Sequence, residues 1–203
     1  MRIHVNFLRY VVGPLVLVCG LASFSRGATV FTTDQPIKDG DYYISVEFHQ
    51  KAHVDVVGGF VENRLHLYDT ATGDLFGGKV NALYMDNSNL ANVFSGAYIN
   101  SYIGVRGTSV LNLYGGRMPT TWLETIDEST VNFFVRSYQF SNTGSVFGDG
   151  EVSGVWADNS PFVVILHLPE TGGHLTFTIV PEPASIVLTV MGLLGALVLR
   201  RRF

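Results

Sequence analysis

The chain of 203 residues contains one cysteine, Cys19, and its charged side chains make up only 15% of the total. A single cysteine excludes an internal disulfide, and its place in an apolar stretch near the N-terminus leaves the remainder without thiolate chemistry. Stability must therefore come from packing. Three signatures of catalysis are also missing: a Gly-x-Ser-x-Gly elbow, a phosphate-cradling glycine loop with its lysine, and His-Glu-x-x-His. Basic residues are scarce away from the two ends. Setting aside Arg2, Arg9, Arg26 and Arg200, Arg201, Arg202 leaves 7 basic against 17 acidic residues, a formal charge of −10. That excess argues against nucleic acid or anionic lipid as a partner and favours solubility and cation binding.

The two ends are what the sequence has in place of charge. Arg2 and Arg9 precede an apolar stretch at residues 10–22, too short to span a membrane and of the length of a signal-peptide core. Residues 1–27 are therefore expected to be a signal peptide, cut after Gly27 (Ser25 at minus three) or earlier after Ala22. Acylation of Cys19 is the lipoprotein alternative, and Val18 is branched where a small residue is wanted. At the other end residues 184–199 carry no charge and are followed by Arg200, Arg201 and Arg202. Sixteen residues fall short of the ~20 that cross a bilayer, a mismatch that snorkelling and thinning absorb. The arginines put Phe203 on the cytoplasmic side.

Val180-Pro181-Glu182-Pro183, this apolar run and the terminal arginines together resemble the PEP-CTERM sorting signal of Gram-negative bacteria with exopolysaccharide. The resemblance implies that Pro181, Glu182 and Pro183 are recognised by the membrane protease exosortase and that Arg200 to Arg202 stop transfer. The expected partners are then signal peptidase and exosortase, with the membrane held through the C-terminal helix before processing. Exopolysaccharide is a further expected partner. The expected location is the cell envelope, then the cell surface or extracellular matrix.

Between the signals an Asp/Asn-apolar-apolar-Gly-Gly motif recurs. It starts at Asp55, Asp74, Asn92, Asn112 and Asn132, at intervals of 19, 18, 20 and 20 residues. A second column, Leu65/Leu67, Leu83/Met85, Ile103/Val105 and Leu123/Thr125, keeps the same phase, so each repeat holds at least two strands. Repeats this short, with glycine pairs permitting positive-φ corners, suit one coil of a parallel β-helix rising about 4.8 Å per coil. Thr108-Ser109-Val110-Leu111-Asn112-Leu113-Tyr114-Gly115-Gly116 and Glu128-Ser129-Thr130-Val131-Asn132-Phe133 also resemble coils of autotransporter-like β-helical surface proteins. The expected fold is thus all-β, a right-handed parallel β-helix of about five coils at residues 54–136. An N-terminal strand and cap at 28–53, a C-terminal β cap at 137–180 and the sorting signal at 181–203 complete it; the rival is an antiparallel β-sandwich. Ser95 and Val135-Arg136 break the glycine pattern, and Phe162 to Leu168 and His174 to Val180 read as two strands around a Pro169-to-Gly173 turn.

Strand parity then sorts the side chains. Val54/Val56, Leu75, Ala91/Val93, Leu111/Leu113 and Val131/Phe133 are expected to face inward. The Asp/Asn column and Val57, Phe76, Phe94, Tyr114 and Phe134 then share the opposite face. Of these, Phe76, Phe94, Tyr114, Asn92 and Asn112 are the candidate glycan contacts, rings giving apolar contact and amides hydrogen bonds; a purely structural stack is the alternative. The candidate metal ligands are Glu47, His49, His53 and Asp55. Side chains two apart on a strand are ~6.6 Å apart, so one ion is not expected to touch all four. Asp55 and Asp74, stacked on adjacent coils, suggest a shared Ca²⁺ or an acid/base pair. Lys51, Lys79, Arg106, Arg117 and Arg136 fall in different phases, unlike a polysaccharide-cleaving face. The expectation is a non-enzymatic surface or matrix structural protein without cofactor, with a carbohydrate-binding adhesin and a polysaccharide-acting enzyme as alternatives.

Overall fold

The computed structural model describes residues 28–119, 121–142, 150–167 and 172–181. The expected signal peptide and apolar C-terminal run lie outside these residues, as do Glu182, Pro183 and the terminal arginines. No helix among the described residues is long and apolar enough to cross a membrane.

The described chain is all-β and winds into a β-solenoid of about five turns. Each turn contributes one long and one short strand. The long strands β2 (Tyr42–Phe48), β4 (Phe60–Leu67), β6 (Lys79–Met85), β8 (Tyr98–Val105) and β10 (Thr121–Thr125) pair in parallel, one coil with the next. The short strands β3 (His53–Val56), β5 (Thr72–Leu75), β7 (Leu90–Val93) and β9 (Val110–Leu113) do likewise, and β11 (Thr130–Asn142) continues their stack. Parallel pairing throughout the coils sets aside the antiparallel sandwich.

Register follows the sequence phase. Asp55 lies opposite Asp74, Asp74 opposite Asn92, Asn92 opposite Asn112 and Asn112 opposite Asn132. The expected inward residues of these strands are buried, Val54, Leu75, Val93, Leu111 and Phe133 all at 0% exposure. The second column, Leu65, Leu83, Ile103 and Leu123, meets them from the long strands. Register shifts at Tyr43/Ser45, Val61/Arg64 and Val80/Ala82 stack on one another and bend each of those long strands into two arms.

Corners are set by backbone conformation. Between long and short strands, Gln50, Asp69, Asn87, Gly107 and Asp127 take positive φ in successive coils, at the period of the repeat. Asp, Asn and Gly are the residues that reach this region most cheaply. At the opposite corner the second glycine of the pair takes positive φ at Gly59, Gly78 and Gly116.

Strands outside the repeats extend the stack at both ends. The segment expected as strand and cap supplies β1 (Thr29–Phe31) beside β2, and a rung at Gln35 and Ile37 that hydrogen-bonds along β3. The parallel stack thus begins at β1 and β2, earlier than residue 54. At the far end Val135-Arg136 stand where the glycine pair would turn the chain. β11 therefore runs on for 13 residues and pairs antiparallel with β12 (Gly150–Trp156). β12 pairs with β13 (Pro161–His167), which returns to β10 in parallel. The two strands anticipated at the C-terminus exist, as β13 and β14 (His174–Ile179), but do not pair with each other: β14 lies parallel to β11. Trp156 locks this cap, fully buried and donating from Nε1 to the Gly116 carbonyl at 3.0 Å.

Gly78 tests the corner directly. At φ +73 a Cβ would lie 2.2 Å from the Gly58 carbonyl oxygen, whereas at Gly40, φ +89, nothing lies within 4 Å. Gly78→Ala is expected to cost about 2 kcal/mol or more and Gly40→Ala about 1 kcal/mol, read from urea midpoints. Equal costs would contradict the close stacking of coils at this corner.

Candidate functional site

The outward side of the short strands carries two parallel ladders. In the first, Asn132 Nδ2 donates to Asn112 Oδ1 at 2.9 Å, Asn112 Nδ2 to Asn92 Oδ1 at 2.8 Å, and Asn92 Nδ2 to Asp74 Oδ1 at 2.7 Å. Every amide points the same way, so the ladder ends on a carboxylate. Two residues further along the chain, just past β5, β7 and β9 and within β11, Phe76, Phe94, Tyr114 and Phe134 stack with centroids 4.7, 5.3 and 4.3 Å apart and planes within 15°. Phe76 is 46% and Tyr114 36% exposed, and Phe94 is half-buried. Because the rings cover one another, the solenoid presents ring edges along this face. The five residues expected as glycan contacts are thus brought together, with interior ring faces already taken.

The four candidate metal ligands separate into two groups. Glu47 Oε2 lies 3.6 Å from His49 Nε2, and His49 Nδ1 lies 3.8 Å from Asp69 Oδ2. His53 Nε2 lies 3.2 Å from Asp55 Oδ1 and 3.8 Å from Oδ2 of Asp74, in the next coil.

The outward side of the long strands was less visible in the sequence. On the first arm Tyr42, Phe60, Lys79, Tyr98 and Arg117 form a register column. The Lys79 ammonium sits 5.2 Å from the Phe60 ring centre and 5.3 Å from that of Tyr98; the Arg117 guanidinium is 5.6 Å from Tyr98. Lys79 and Arg117, read as out of phase, share one column, each cation held against aromatic faces. On the second arm Glu47, His66, Tyr84, Gly104 and Glu124 align, flanked by Arg64 and Tyr102. Arg64 pairs with Glu47 at 2.9 Å and Arg106 with Glu124 at 3.2 Å, while Tyr102 donates to Glu124. His66 is 6% exposed, bonded through Nε2 to Asp86 at 2.5 Å and stacked on Tyr68 at 3.7 Å. Its Nδ1 is buried without a partner, as are Arg64 Nε and Arg106 Nε. The signal for this column was present: His66, Tyr84, Gly104 and Glu124 are the residues between the paired apolar positions of each long strand.

Compared with known proteins, the chain matches no family model, no curated protein and no solved structure. The chemistry of the site is read from its own side chains. Burial lowers the His66 pKa from 6.5 even though the Asp86 carboxylate opposes the shift, so the ring is neutral in the folded protein at neutral pH. Burial resists ionisation of Glu124, but hydrogen bonds from Tyr102 and Arg106 and the Arg106 charge outweigh it and hold the carboxyl below 4.5. Burial, followed by the Glu124 carboxylate, pushes the Tyr102 phenol well above its ordinary range. The Tyr102, Arg106 and Glu124 network favours an ionised carboxylate paired in place.

Its pH dependence has a definite sign. The unfolded chain takes up a proton near pH 6.5 that folded His66 refuses, so this stability is present above 6.5 and lost as pH falls below it. Glu124 contributes stability above 4.5 that is lost as pH falls through its lower folded value. Urea midpoints are expected to fall in two legs on acidification, and His66→Gln to remove the upper leg while leaving the lower. An unchanged upper leg in that variant would show that His66, set among Asp86, Glu47 and Arg64, does not control it.

Proposed function

We propose that this chain is an exported, exosortase-sorted structural protein of the cell surface or extracellular matrix. Its folded part, a right-handed β-solenoid, serves as a displayed scaffold. The observation that carries the scaffold reading is that most outer-face columns are bonded or stacked within the chain. Amides bond amides, rings stack on rings, and Arg64, Arg106 and Lys79 are held by Glu47, Glu124 and aromatic rings. Columns so occupied hold successive coils in register through contacts within the chain. The exposed −10 charge excess keeps such a rod soluble and apart from its copies.

The export and sorting half of the proposal rests on the terminal sequences: the basic-apolar start, Pro181-Glu182-Pro183, the apolar run and the three arginines. On this reading the protein is a client of signal peptidase and exosortase, not itself an enzyme. The intact mass of protein recovered separately from membrane and matrix tests it. A matrix species beginning after residue 22 or 27 and ending near Pro181 to Pro183 is expected. Recovery of only the full tail, Arg200 to Arg202 included, would leave a membrane-anchored domain and remove the exosortase step.

A carbohydrate-binding adhesin is favoured by one observation, the 46% and 36% exposure of Phe76 and Tyr114 beside the amide ladder. The stacked geometry leaves edges and amides for such contact. If glycan binding is the role, Tyr114→Ala weakens retention on an exopolysaccharide column by about tenfold, the worth of roughly 1.4 kcal/mol of ring contact. For the scaffold, the same change lowers stability and leaves retention as it was.

A further inference from the structure

We propose that His53, Asp55 and Asp74 bind a first-row divalent transition-metal ion of the Zn²⁺ class, which fastens β3 to β5. The site stands apart from the sorting reading and does not depend on it. Two groups come from one coil and the third from the next, 19 residues away. All three ligand atoms lie within 4.8 Å of one another, with His53 Nε2 at 3.2 Å from Asp55 Oδ1 and 3.8 Å from Asp74 Oδ2. An ion about 2.1 Å from each of three tetrahedral ligands would hold them about 3.4 Å apart, so little movement closes the set.

The hydrogen bonds that hold these groups point the same way. His53 Nδ1 lies 2.7 Å from Thr72 Oγ1, and the His53 backbone N–H donates to Asp34 Oδ1 at 2.8 Å. Without an ion, Nε2–H can donate to Asp55 while Nδ1 accepts from the threonine hydroxyl. With Nδ1 donating instead, the Nε2 lone pair is directed at the position shared with the two carboxylates, and this second tautomer is the one a metal ion selects. Asp74 Oδ1 is occupied by the Asn92 amide, which leaves Oδ2 for the shared position. An outer hydrogen bond that fixes the imidazole and another that fixes the carboxylate are what orient metal ligands.

The sequence of the ladder supplies an independent reason. Asn occupies this column at 92, 112 and 132, where each amide bonds the next. Asn at 74 and 55 would have extended it with no charge. Instead the column switches to Asp in the two coils that contain or adjoin His53, and places like charges opposite each other, an unfavourable cross-strand pair. A bridging cation resolves that repulsion. Imidazole in the set favours a transition ion over Ca²⁺, which takes oxygen ligands. The outward-facing, partly exposed cluster leaves remaining coordination positions for water.

The test is titration of the full chain, purified without a polyhistidine tag and stripped with chelator, using ZnCl₂ and calorimetry, with thermal unfolding alongside. One saturable site in the micromolar range and a Zn²⁺-dependent rise in midpoint are expected. Asp74→Asn extends the amide ladder by one rung, so the variant is expected to fold at least as stably without metal and to bind Zn²⁺ at least about tenfold more weakly. His53→Gln should lose binding as well, and His49→Gln should retain it. Absence of saturable uptake by the folded wild type overturns the site. So does uptake undiminished in both Asp74→Asn and His53→Gln, or lost in His49→Gln.

Discussion

The constraint on which the structure depends is that every coil must return to the same lateral position. Parallel strands in neighbouring coils exchange hydrogen bonds along the solenoid, about 4.8 Å per step, so a corner that drifts sideways breaks pairing in two sheets at once. Two columns of backbone meet this demand. One is the positive-φ series Gln50, Asp69, Asn87, Gly107 and Asp127; the other is formed by Gly59, Gly78 and Gly116. The intervals of 18 to 20 residues follow from these corners. Leu65, Leu83, Ile103 and Leu123 can stack into a single core because the corners repeat.

Stacking of like on like then decides what the surface can be. A neutral amide above an amide gains a hydrogen bond, and a ring above a ring gains a face-to-face contact. A charge above the same charge only loses. The outer columns obey this almost throughout: asparagine with asparagine, ring with ring, and cation against ring in Phe60, Lys79 and Tyr98. Asp55 over Asp74 breaks the rule, which is why a bridging cation is inferred there. His66 breaks it differently, being buried with an unpartnered Nδ1 between the ion pairs of Arg64 and Arg106. Such exceptions mark where the structure tolerates a local cost, and in a scaffold they are where a ligand or a pH response is to be sought.

Much of this was legible in residue order, for identifiable reasons. The short strands are free of register shifts among themselves, so parity alone separated Val54, Leu75, Val93, Leu111 and Phe133 from the amides and rings. Val135-Arg136 announced the end of the coils because it lacks the residues that turn the chain. The long strands were harder to read. Lys79 and Arg117 stand two coils apart with Tyr98 between them, and Arg106 meets Glu124 of the next coil, so neither relation shows within a single strand. The third group of the His53 cluster was obscured for a different reason. The strand-local reading grouped His53 and Asp55 with Glu47 and His49, and the coil spacing separately stacked Asp55 on Asp74; neither joined His53 with Asp74, one coil away. The pairing of β14 with β11, in place of β13, likewise depends on where the extended β11 leaves an open edge.

The central claim is in-phase parallel coiling, and distances along the axis measure it. With a spin label fixed at Lys51→Cys and a second moved through Ser88→Cys, Thr108→Cys and Glu128→Cys, all exposed positions at the repeat phase, Cys19 replaced by serine, separations should rise coil by coil. Backbone distances of about 10, 14 and 19 Å are predicted, a constant increment of about 4.8 Å. A series that fails to increase, or increases by unequal steps, would contradict the solenoid and everything built on its ladders.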